Sequence, residues 1–220
     1  MISEGKILIL TPCTKNKRVD VSLGNRIVQP AGYLADEKLV AVQRSCRETV
    51  WRDFRSQYDP ASNLAYPFDM YVRHESTQLY RDLRGDGLAE TIRDQMVSAP
   101  DQFPAEWFFL SGGYGLLHSL EPARKYQASF SYQIANQANP KIPCTRSTWK
   151  TLPAILDSLF STLKPRIIHV FGPPDYTQFV ERTVLYRENR IRFEMNVERS
   201  SGAGIRSRLL ALAKTLLKVS

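Results

Sequence analysis

The sequence predicts an α/β fold, a three-layer sandwich with a central, mostly parallel four-stranded sheet. Two observations lead to this prediction: four short apolar or alternating segments have the length of strands, and segments with helical hydrophobic spacing lie between and after them. Alternation of strands and helices is typical of a parallel sheet covered by helices on both faces. A chain of 220 residues is the size of one domain, so we expect residues 1–220 to form a single α/β domain.

The first predicted strand, KILIL at residues 6–10, is an apolar run bounded by Gly5 and Pro12. Two further strands are apolar runs and the last one alternates; they cover residues 107–110, 166–171 and 190–197. Apolar positions at helical spacing predict helices at residues 34–54, 76–83, 88–96, 147–163, 176–185 and 205–218. The proline-containing segments 57–69 and 132–144 are predicted to be loops.

The composition is that of an ordinary soluble protein, with 43% hydrophobic and 24% charged residues. The formal net charge of +8 favours a polyanionic partner such as DNA, although many basic proteins bind no nucleic acid. No apolar run approaches the roughly 20 residues that span a bilayer, and no secretory signal is visible. The three cysteines are too scattered for a disulfide framework or a zinc site. We therefore expect a cytoplasmic protein without membrane association or metal.

Polar residues follow all four predicted strands, at residues 12–18, 111–126, 172–176 and 199–206. The carboxyl ends of parallel strands lie at one edge of a sheet, and ligands of such folds bind in the crevice beyond that edge. The sequence therefore predicts a binding site assembled from these four segments.

The loop after the first strand combines cations with an amide and a thiol, in Cys13, Lys15, Asn16, Lys17 and Arg18. Cations beside an amide suit a phosphate or a polar base edge, and Asn16 is placed to hold a water or a base. The glycine spacing of a P-loop is absent. Cys13 is more often a small packed residue than a nucleophile in such a setting, because no base partner is identifiable.

The loop after the second strand begins with SGGYG at residues 111–115. Glycines here end the strand and let the backbone approach another group closely, while Tyr114 and Tyr126 are suited to stacking on a base. Glu121 is either the acid/base group of this stretch or an exposed loop carboxylate. His118 is more often a structural histidine than a catalyst on such evidence.

Near the C-terminus, small residues and an arginine surround the start of the last predicted helix, in Ser200, Ser201, Gly202 and Arg206. This arrangement suits phosphate binding at a helix N-terminus, or equally a capped and solvated helix. No metal-ligand spacing and no dinucleotide fingerprint is present, so we expect no cofactor.

Two motifs resemble a known family. Pro12-Cys13-x-x-x-Lys17 resembles the PCxxxK segment of archaeosine-synthase-type domains, and LSGGYGLL at residues 110–117 is similar to the SA-x-YGLL signature of YaaA-like peroxide-stress proteins. Glu121 and YQASF at residues 126–130 stand where those relatives have an acidic residue and a Y-x-x-(S/T)-F motif. Gly113 departs from the usual Lys or Leu. The C-terminal third agrees with the family only in its strand–helix order.

The resemblance implies a uracil-DNA-glycosylase-like fold with a base pocket at the carboxyl ends of the strands. It favours a monofunctional DNA glycosylase that excises a modified or damaged base, in a setting such as anti-phage defence, without an obligate protein partner. A non-catalytic DNA-binding stress protein and a tRNA base-modifying enzyme are the alternatives. Asn16, Lys17 and Glu121 are the candidate catalytic residues. The candidate base-binding residues are Cys13, Ser111, Gly113, Tyr114 and Tyr126, and the candidate phosphate contacts are Lys15, Arg18, Ser200, Ser201, Gly202 and Arg206.

Overall fold

A computed structural model of the protein describes residues 5–14, 32–54, 64–74, 78–138, 141–197 and 203–219. Within these ranges the central sheet has five strands: β1 (Ile7–Pro12), β2 (Ala105–Ser111), β3 (Gly115–His118), β4 (Ile167–Gly172) and β5 (Phe193–Val197). Their order across the sheet is β3–β2–β1–β4–β5. All neighbours pair in parallel except β3, which is antiparallel to β2. The predicted α/β class with a mostly parallel sheet is confirmed.

The helices of the described chain are α1 (Glu37–Asp53), α2 (Pro67–Tyr71), α3 (Arg81–Gly85), α4 (Leu88–Ser98), α5 (Tyr132–Gln137), α6 (Leu152–Leu163), α7 (Pro174–Glu181), α8 (Val184–Arg187) and α9 (Ala203–Val219). Contacts link α1, α6, α7 and α8 into one group, and α3, α4 and α9 into a second. Two helix groups around one sheet are compatible with a three-layer sandwich. None of these described helices has both the length and the apolar character that crossing a membrane requires.

Both faces of the sheet are covered, as the side chains of β2 show. Successive side chains of a strand point to opposite faces. Trp107 packs edge-on against Phe68, with ring centroids 5.2 Å apart, whereas the next residue, Phe108, packs against Tyr33 at 4.9 Å. All four of these rings are buried. The continuous apolar run of β2 therefore reflects burial on two sides, as is usual in parallel sheets.

The prediction of four strands was wrong by one, because β3 was missed. The four predicted strands correspond to β1, β2, β4 and β5. The segment GLLH of β3 has four residues and neither alternation nor β-branched side chains, so it carries no local strand signal. It becomes a strand by pairing with β2, where Ser111 lies opposite Gly115 and residues 112–114 form the turn.

Two predicted loops contain helices, and one predicted helix begins later than expected. Pro67 occupies the first turn of α2, where a missing N–H is not needed, so this proline starts a helix within the segment predicted as a loop. Likewise α5 lies within residues 132–144. Helix α6 begins at Leu152 rather than at residue 147, with Pro153 in its first turn.

Two glycines at the turn between β2 and β3 pack against aromatic rings, and these rings leave no space for a side chain at either position. A Cβ atom on Gly113 would lie 2.4 Å from Cδ2 of Tyr126, and one on Gly115 would lie 2.2 Å from Cζ3 of Trp149. Gly115 also has a φ of +70°, a conformation that residues with a side chain rarely adopt. The close backbone approach predicted from the sequence is thus an approach to buried tyrosine and tryptophan side chains.

We expect Gly115→Ala to destabilise the protein by about 2–4 kcal/mol, because it adds both backbone strain and a clash with Trp149. The free energy of unfolding in urea measures this loss. Gly85→Ala is the matched control, since a Cβ at Gly85 meets no atom within 4 Å and the residue ends helix α3. Equal stability of the two variants would contradict the packing described here.

Candidate functional site

The order of the parallel strands marks one position on the sheet for a ligand. From β1 the chain crosses to β2 on one side, and later to β4 on the other side of β1. In doubly wound sheets the crevice lies at such a switch point, beyond the carboxyl ends of the two strands. Here these ends are Pro12 and Gly172, which are followed by Cys13 and by helix α7.

Buried hydroxyl groups and one thiol meet at this edge. The Sγ atom of Cys13 lies 3.9 Å from the hydroxyl oxygen of Tyr176, and that oxygen lies 3.5 Å from Oγ of Ser129. Tyr126 also neighbours Cys13. Its hydroxyl oxygen lies 2.5 Å from Oγ of Ser111 and 3.1 Å from the hydroxyl oxygen of Tyr71. We call these residues the carboxyl-edge cluster: Cys13, Tyr71, Ser111, Tyr126, Ser129 and Tyr176.

The tyrosines of the cluster keep their protons near neutral pH. Burial raises the pKa of Tyr126 well above its ordinary value, and the proximity of Cys13 raises it further. The pKa values of Tyr71 and Tyr176 are raised well above 10 by the same two causes in the same order. The cluster therefore offers neutral hydroxyl groups, each able to donate and to accept a hydrogen bond.

The structure brings together the five residues predicted to bind a base. Ser111 hydrogen-bonds to Tyr126 through the side chain and accepts from the backbone N–H of Tyr114 at 3.0 Å. Gly113 packs on the ring of Tyr126, and the rings of Tyr114 and Tyr126 meet edge to face with centroids 5.0 Å apart. Tyr126 is fully buried, so its ring faces are covered by the protein. The base-binding role of these residues stays a prediction.

Several predicted site residues lie outside the described part of the chain. They are Lys15, Asn16, Lys17, Arg18, Ser200, Ser201 and Gly202. Of the predicted phosphate contacts, the structure describes Arg206, which is half-buried in the first turn of α9. Its Nε atom lies 3.6 Å from Oδ2 of Asp82.

Glu121 is not an exposed loop carboxylate, which was one of its two predicted states. It is 3% exposed. Its Oε1 atom accepts a charged hydrogen bond from Nη1 of Arg47, and its Oε2 atom accepts from the hydroxyl of Tyr33 at 3.1 Å and from the backbone N–H of His118 at 3.3 Å. Both oxygens are therefore engaged within the protein. Its predicted catalytic role stays a prediction, and its contacts favour a positioning role.

Arg47 on helix α1 joins this carboxylate to the turn between β2 and β3. Its Nε atom donates to the carbonyl of Tyr114 at 3.0 Å, and its Nη2 atom donates to the carbonyl of Leu116 at 2.6 Å. Burial is the largest single influence and tends to lower the pKa of Arg47. The charge of Glu121, the charges of Tyr33 and Tyr114 and the hydrogen bond to Glu121 together outweigh burial and raise the pKa above its usual value. We call Arg47, Glu121 and the carbonyls of Tyr114 and Leu116 the hairpin lock.

Arg47 was not predicted from the sequence, although one signal was present. Gln43 and Arg47 are four residues apart, so they lie on one face of α1, and Gln43 is buried and donates to the carbonyl of Leu116 at 2.7 Å. Two polar residues at helical spacing beside an apolar stripe indicate a buried polar contact. The sequence does not reveal which groups they contact.

Carbonyl groups in the same turn are held from a second direction. The carbonyl of Gly112 accepts from Nε1 of Trp149 at 3.0 Å and from Oγ1 of Thr145 at 2.7 Å. Burial raises the pKa of Tyr114 to about 12. The turn that carries the candidate base-binding residues is thus fixed by α1 and by the residues before α6.

His118 forms a separate polar group at the amino end of β2. Its Nδ1 atom accepts from the backbone N–H of Leu120 at 3.1 Å, and its Nε2 atom lies 3.1 Å from Oε2 of Glu106. Lys6 donates to Oε1 of the same carboxylate at 2.9 Å. These contacts fit the structural role that the sequence favoured for His118.

No protein-family model matches the chain, and a search of curated proteins returns no match. The family resemblance of the two motifs therefore stays a prediction. In the described ranges, no group of three or more His, Cys, Asp or Glu residues is arranged to hold a metal ion.

We expect Arg47→Ala to destabilise the protein by about 3–5 kcal/mol, because the variant leaves the buried Glu121 carboxylate without its counter-charge. Urea unfolding measures the change. Arg44→Ala removes an exposed arginine from the same helix and is expected to change stability by less than about 0.5 kcal/mol. Similar losses in both variants would show that the lock contributes nothing specific.

A second prediction concerns acid stability. Burial by itself raises the pKa of the Glu106 carboxyl, but the hydrogen bond of His118 and the hydrogen bond and charge of Lys6 outweigh burial and lower the pKa from 4.5 to about 2. A lowered folded-state pKa stabilises the fold above the unfolded value, and this contribution is lost as the pH falls through the folded-state value. Unfolding free energy should therefore decline between pH 4.5 and pH 2.

Glu106→Gln should flatten this decline, because the variant has no carboxyl group to protonate. Glu48→Gln, at an exposed position of α1, should keep the slope of the wild type. Urea titrations at several pH values compare the three proteins. A slope that is unchanged in Glu106→Gln would rule out this carboxyl as its source.

Proposed function

We propose that the protein binds a nucleobase of DNA at the carboxyl edge of its sheet and excises a modified or damaged base as a monofunctional DNA glycosylase. The observation that carries this proposal is the carboxyl-edge cluster, which lies at the switch point between β1 and β4. The four parallel strands in the order β2–β1–β4–β5 are consistent with the uracil-DNA-glycosylase-like fold that the motifs imply. The formal charge of +8 supports a nucleic-acid substrate.

The chemistry of the cluster favours a neutral, planar ligand over a phosphate. Anionic ligands are usually held by cations or by several backbone N–H groups, whereas this cluster consists of neutral hydroxyl groups and a thiol. A base edge alternates donors and acceptors, and hydroxyl groups can match either. Cys13, at 8% exposed, and Tyr176, at 5%, are the least buried members of the cluster and the ones that a base would meet first.

In this proposal the charged groups for catalysis come from residues 15–18, which follow Cys13 and Thr14 in the sequence. In the proposed reaction, the C1′–N bond breaks and the oxygen of a water molecule bonds to C1′. One proton of that water stays on the new C1′ hydroxyl, and the other ends on the released base. Asn16 orients the water, and Lys17 stabilises the negative charge that develops on the leaving base. Lys15 and Arg18 contact the flanking phosphates.

Glu121 acts in this proposal as a positioning residue. Its carboxylate holds Arg47, and Arg47 holds the carbonyls of the turn that presents Ser111 and Tyr114. If Glu121 instead supplies a proton or activates water, Glu121→Gln should abolish excision while leaving DNA binding intact. A positioning role predicts parallel losses of stability and activity.

A non-catalytic DNA-binding protein is the second candidate. The observation that favours it is the state of the cluster, which holds no carboxylate, while the nearby Glu121 is engaged through both oxygens. Such a protein would bind DNA through phosphate contacts and leave every base in place.

The decisive experiment incubates the purified protein with several phage DNAs that carry modified bases. Mass spectrometry of the supernatant detects a released free base, and alkaline cleavage detects abasic sites in the DNA. We expect both products from the wild type, and at least a roughly 100-fold lower rate from Asn16→Ala, which removes the water-positioning amide. Lys38→Ala, an exposed position on α1, is the control variant.

Intact DNA across the panel, together with tight DNA binding, would establish the non-catalytic alternative. Preferential binding of tRNA over duplex DNA would instead favour a tRNA base-modifying enzyme. Unchanged excision by Asn16→Ala would refute the assigned role of this residue.

A further inference from the structure

A folded segment leaves the carboxyl-edge cluster at Ser129 and returns to it at Thr145. Ser129, a member of the cluster, pairs with the returning chain: its N–H donates to the carbonyl of Pro143 at 3.0 Å, and its carbonyl accepts from the N–H of Thr145 at 2.9 Å. Between these two positions lies helix α5. We call residues 131–138, with 141 and 142, the α5 excursion.

The α5 excursion is folded around its own contacts. Ala135, Ala138 and Ile142 are buried against one another in a small hydrophobic cluster separate from the main core. Ser131 caps α5, since its Oγ atom accepts from the N–H of Ile134 at 3.4 Å. The excursion therefore presents its outer side chains from a built element.

Two large apolar side chains point away from this element into solvent. Tyr132 is 62% exposed and Ile134 is 40% exposed, and Tyr132 is the most exposed large hydrophobic side chain of the described residues. A single exposed apolar residue is normal on protein surfaces. Tyr132, however, lies on a folded element next to the candidate base site. The charge of the neighbouring sequence is a second observation that bears on its role.

The sequence on both sides of the α5 excursion is basic. Between Glu121 and Asp157 the sequence contains no Asp or Glu, whereas it contains five cations: Arg124, Lys125, Lys141, Arg146 and Lys150. Within the described residues, Asp175 of helix α7 forms an ion pair with Arg146 of this stretch. A region without acidic residues that carries an exposed aromatic ring matches a polyanion with stacking bases.

We infer that the α5 excursion is a DNA contact in which Tyr132 stacks on a base and Lys141 contacts a phosphate next to the carboxyl-edge cluster. The choice of DNA over another polyanion rests on the proposed function. Side chains that occupy the place of a displaced base are one means by which proteins hold unstacked DNA. The excursion is anchored at Ser129, so a base stacked on Tyr132 lies close to the nucleotide that the cluster would bind.

The test measures binding of an unmodified, fluorescein-labelled single-stranded oligonucleotide by anisotropy. Stacking of a base on an aromatic side chain contributes about 1–3 kcal/mol, so Tyr132→Ala should weaken binding by about 5- to 150-fold. Tyr132→Phe retains the ring and should bind within about twofold of the wild type. Gln133→Ala, at an exposed neighbour on the same helix, is the control and should have no effect.

Lys141→Ala tests the phosphate contact. It should lower the dependence of log Kd on log salt by about 0.7 for single-stranded DNA, because one fewer counterion is released. Lys38→Ala removes an exposed lysine from α1 and should leave the salt dependence unchanged. Circular dichroism confirms that each variant is folded.

The inference is wrong if the wild type does not bind the oligonucleotide, or if Tyr132→Ala binds it as tightly as the wild type. Because this DNA carries no modified base, binding does not depend on excision. A protein that releases no base but loses affinity in Tyr132→Ala would refute the glycosylase proposal and support the DNA contact. If the protein excises a base and Tyr132→Ala binds the oligonucleotide normally, the glycosylase proposal is supported and the DNA contact is refuted.

Discussion

Arg47 and Glu121 place opposite charges away from water, between helix α1 and the β2–β3 hairpin. Such a pair is stable only when every desolvated donor and acceptor finds a partner. Here the planar guanidinium reaches one carboxylate oxygen and two backbone carbonyls, while the second carboxylate oxygen accepts from Tyr33 and from a backbone N–H. A lysine could not span these acceptors, because its donors radiate from a single nitrogen. The pair therefore fixes where the hairpin lies.

The position of the β2–β3 hairpin in turn determines its contacts with the carboxyl-edge cluster. Its turn is held on one side by Arg47, and it packs on the other side against the ring of Tyr126 through Gly113. Tyr126 in turn hydrogen-bonds to Ser111, the last residue of β2. A shift of the turn would disturb the lock and the carboxyl-edge cluster together. The glycines of SGGYG serve this double packing, since a side chain at residue 113 would collide with the tyrosine ring.

Local patterns predicted the buried parallel strands and the long helices, because apolar runs and helical spacing are properties of a few consecutive residues. They did not predict β3, whose strand conformation depends on pairing with β2, or α5, whose small core includes the distant Ile142. The cluster was predicted in part: Cys13, Ser111 and Tyr126 follow from their places after strands. Tyr176 lies in the predicted site segment 172–176 but was not singled out there, and Tyr71 lies in a segment without a motif. The tertiary fold brings both hydroxyls to that edge.

The hydroxyl groups of the carboxyl-edge cluster are neutral, whereas the neighbouring sequence is rich in cations. Under the proposed function, this division favours a nucleotide over a simple anion. The interior of the site consists of hydroxyls that stay protonated, because burial raises the pKa of Tyr126 and its neighbours. In the sequence, cations follow Cys13 and Thr14 and occur again between Glu121 and Asp157. A nucleotide has the same division, with a neutral base and a charged backbone. The proposed function therefore has the base contact the hydroxyl groups of the cluster, and the phosphates contact cations of the two basic stretches.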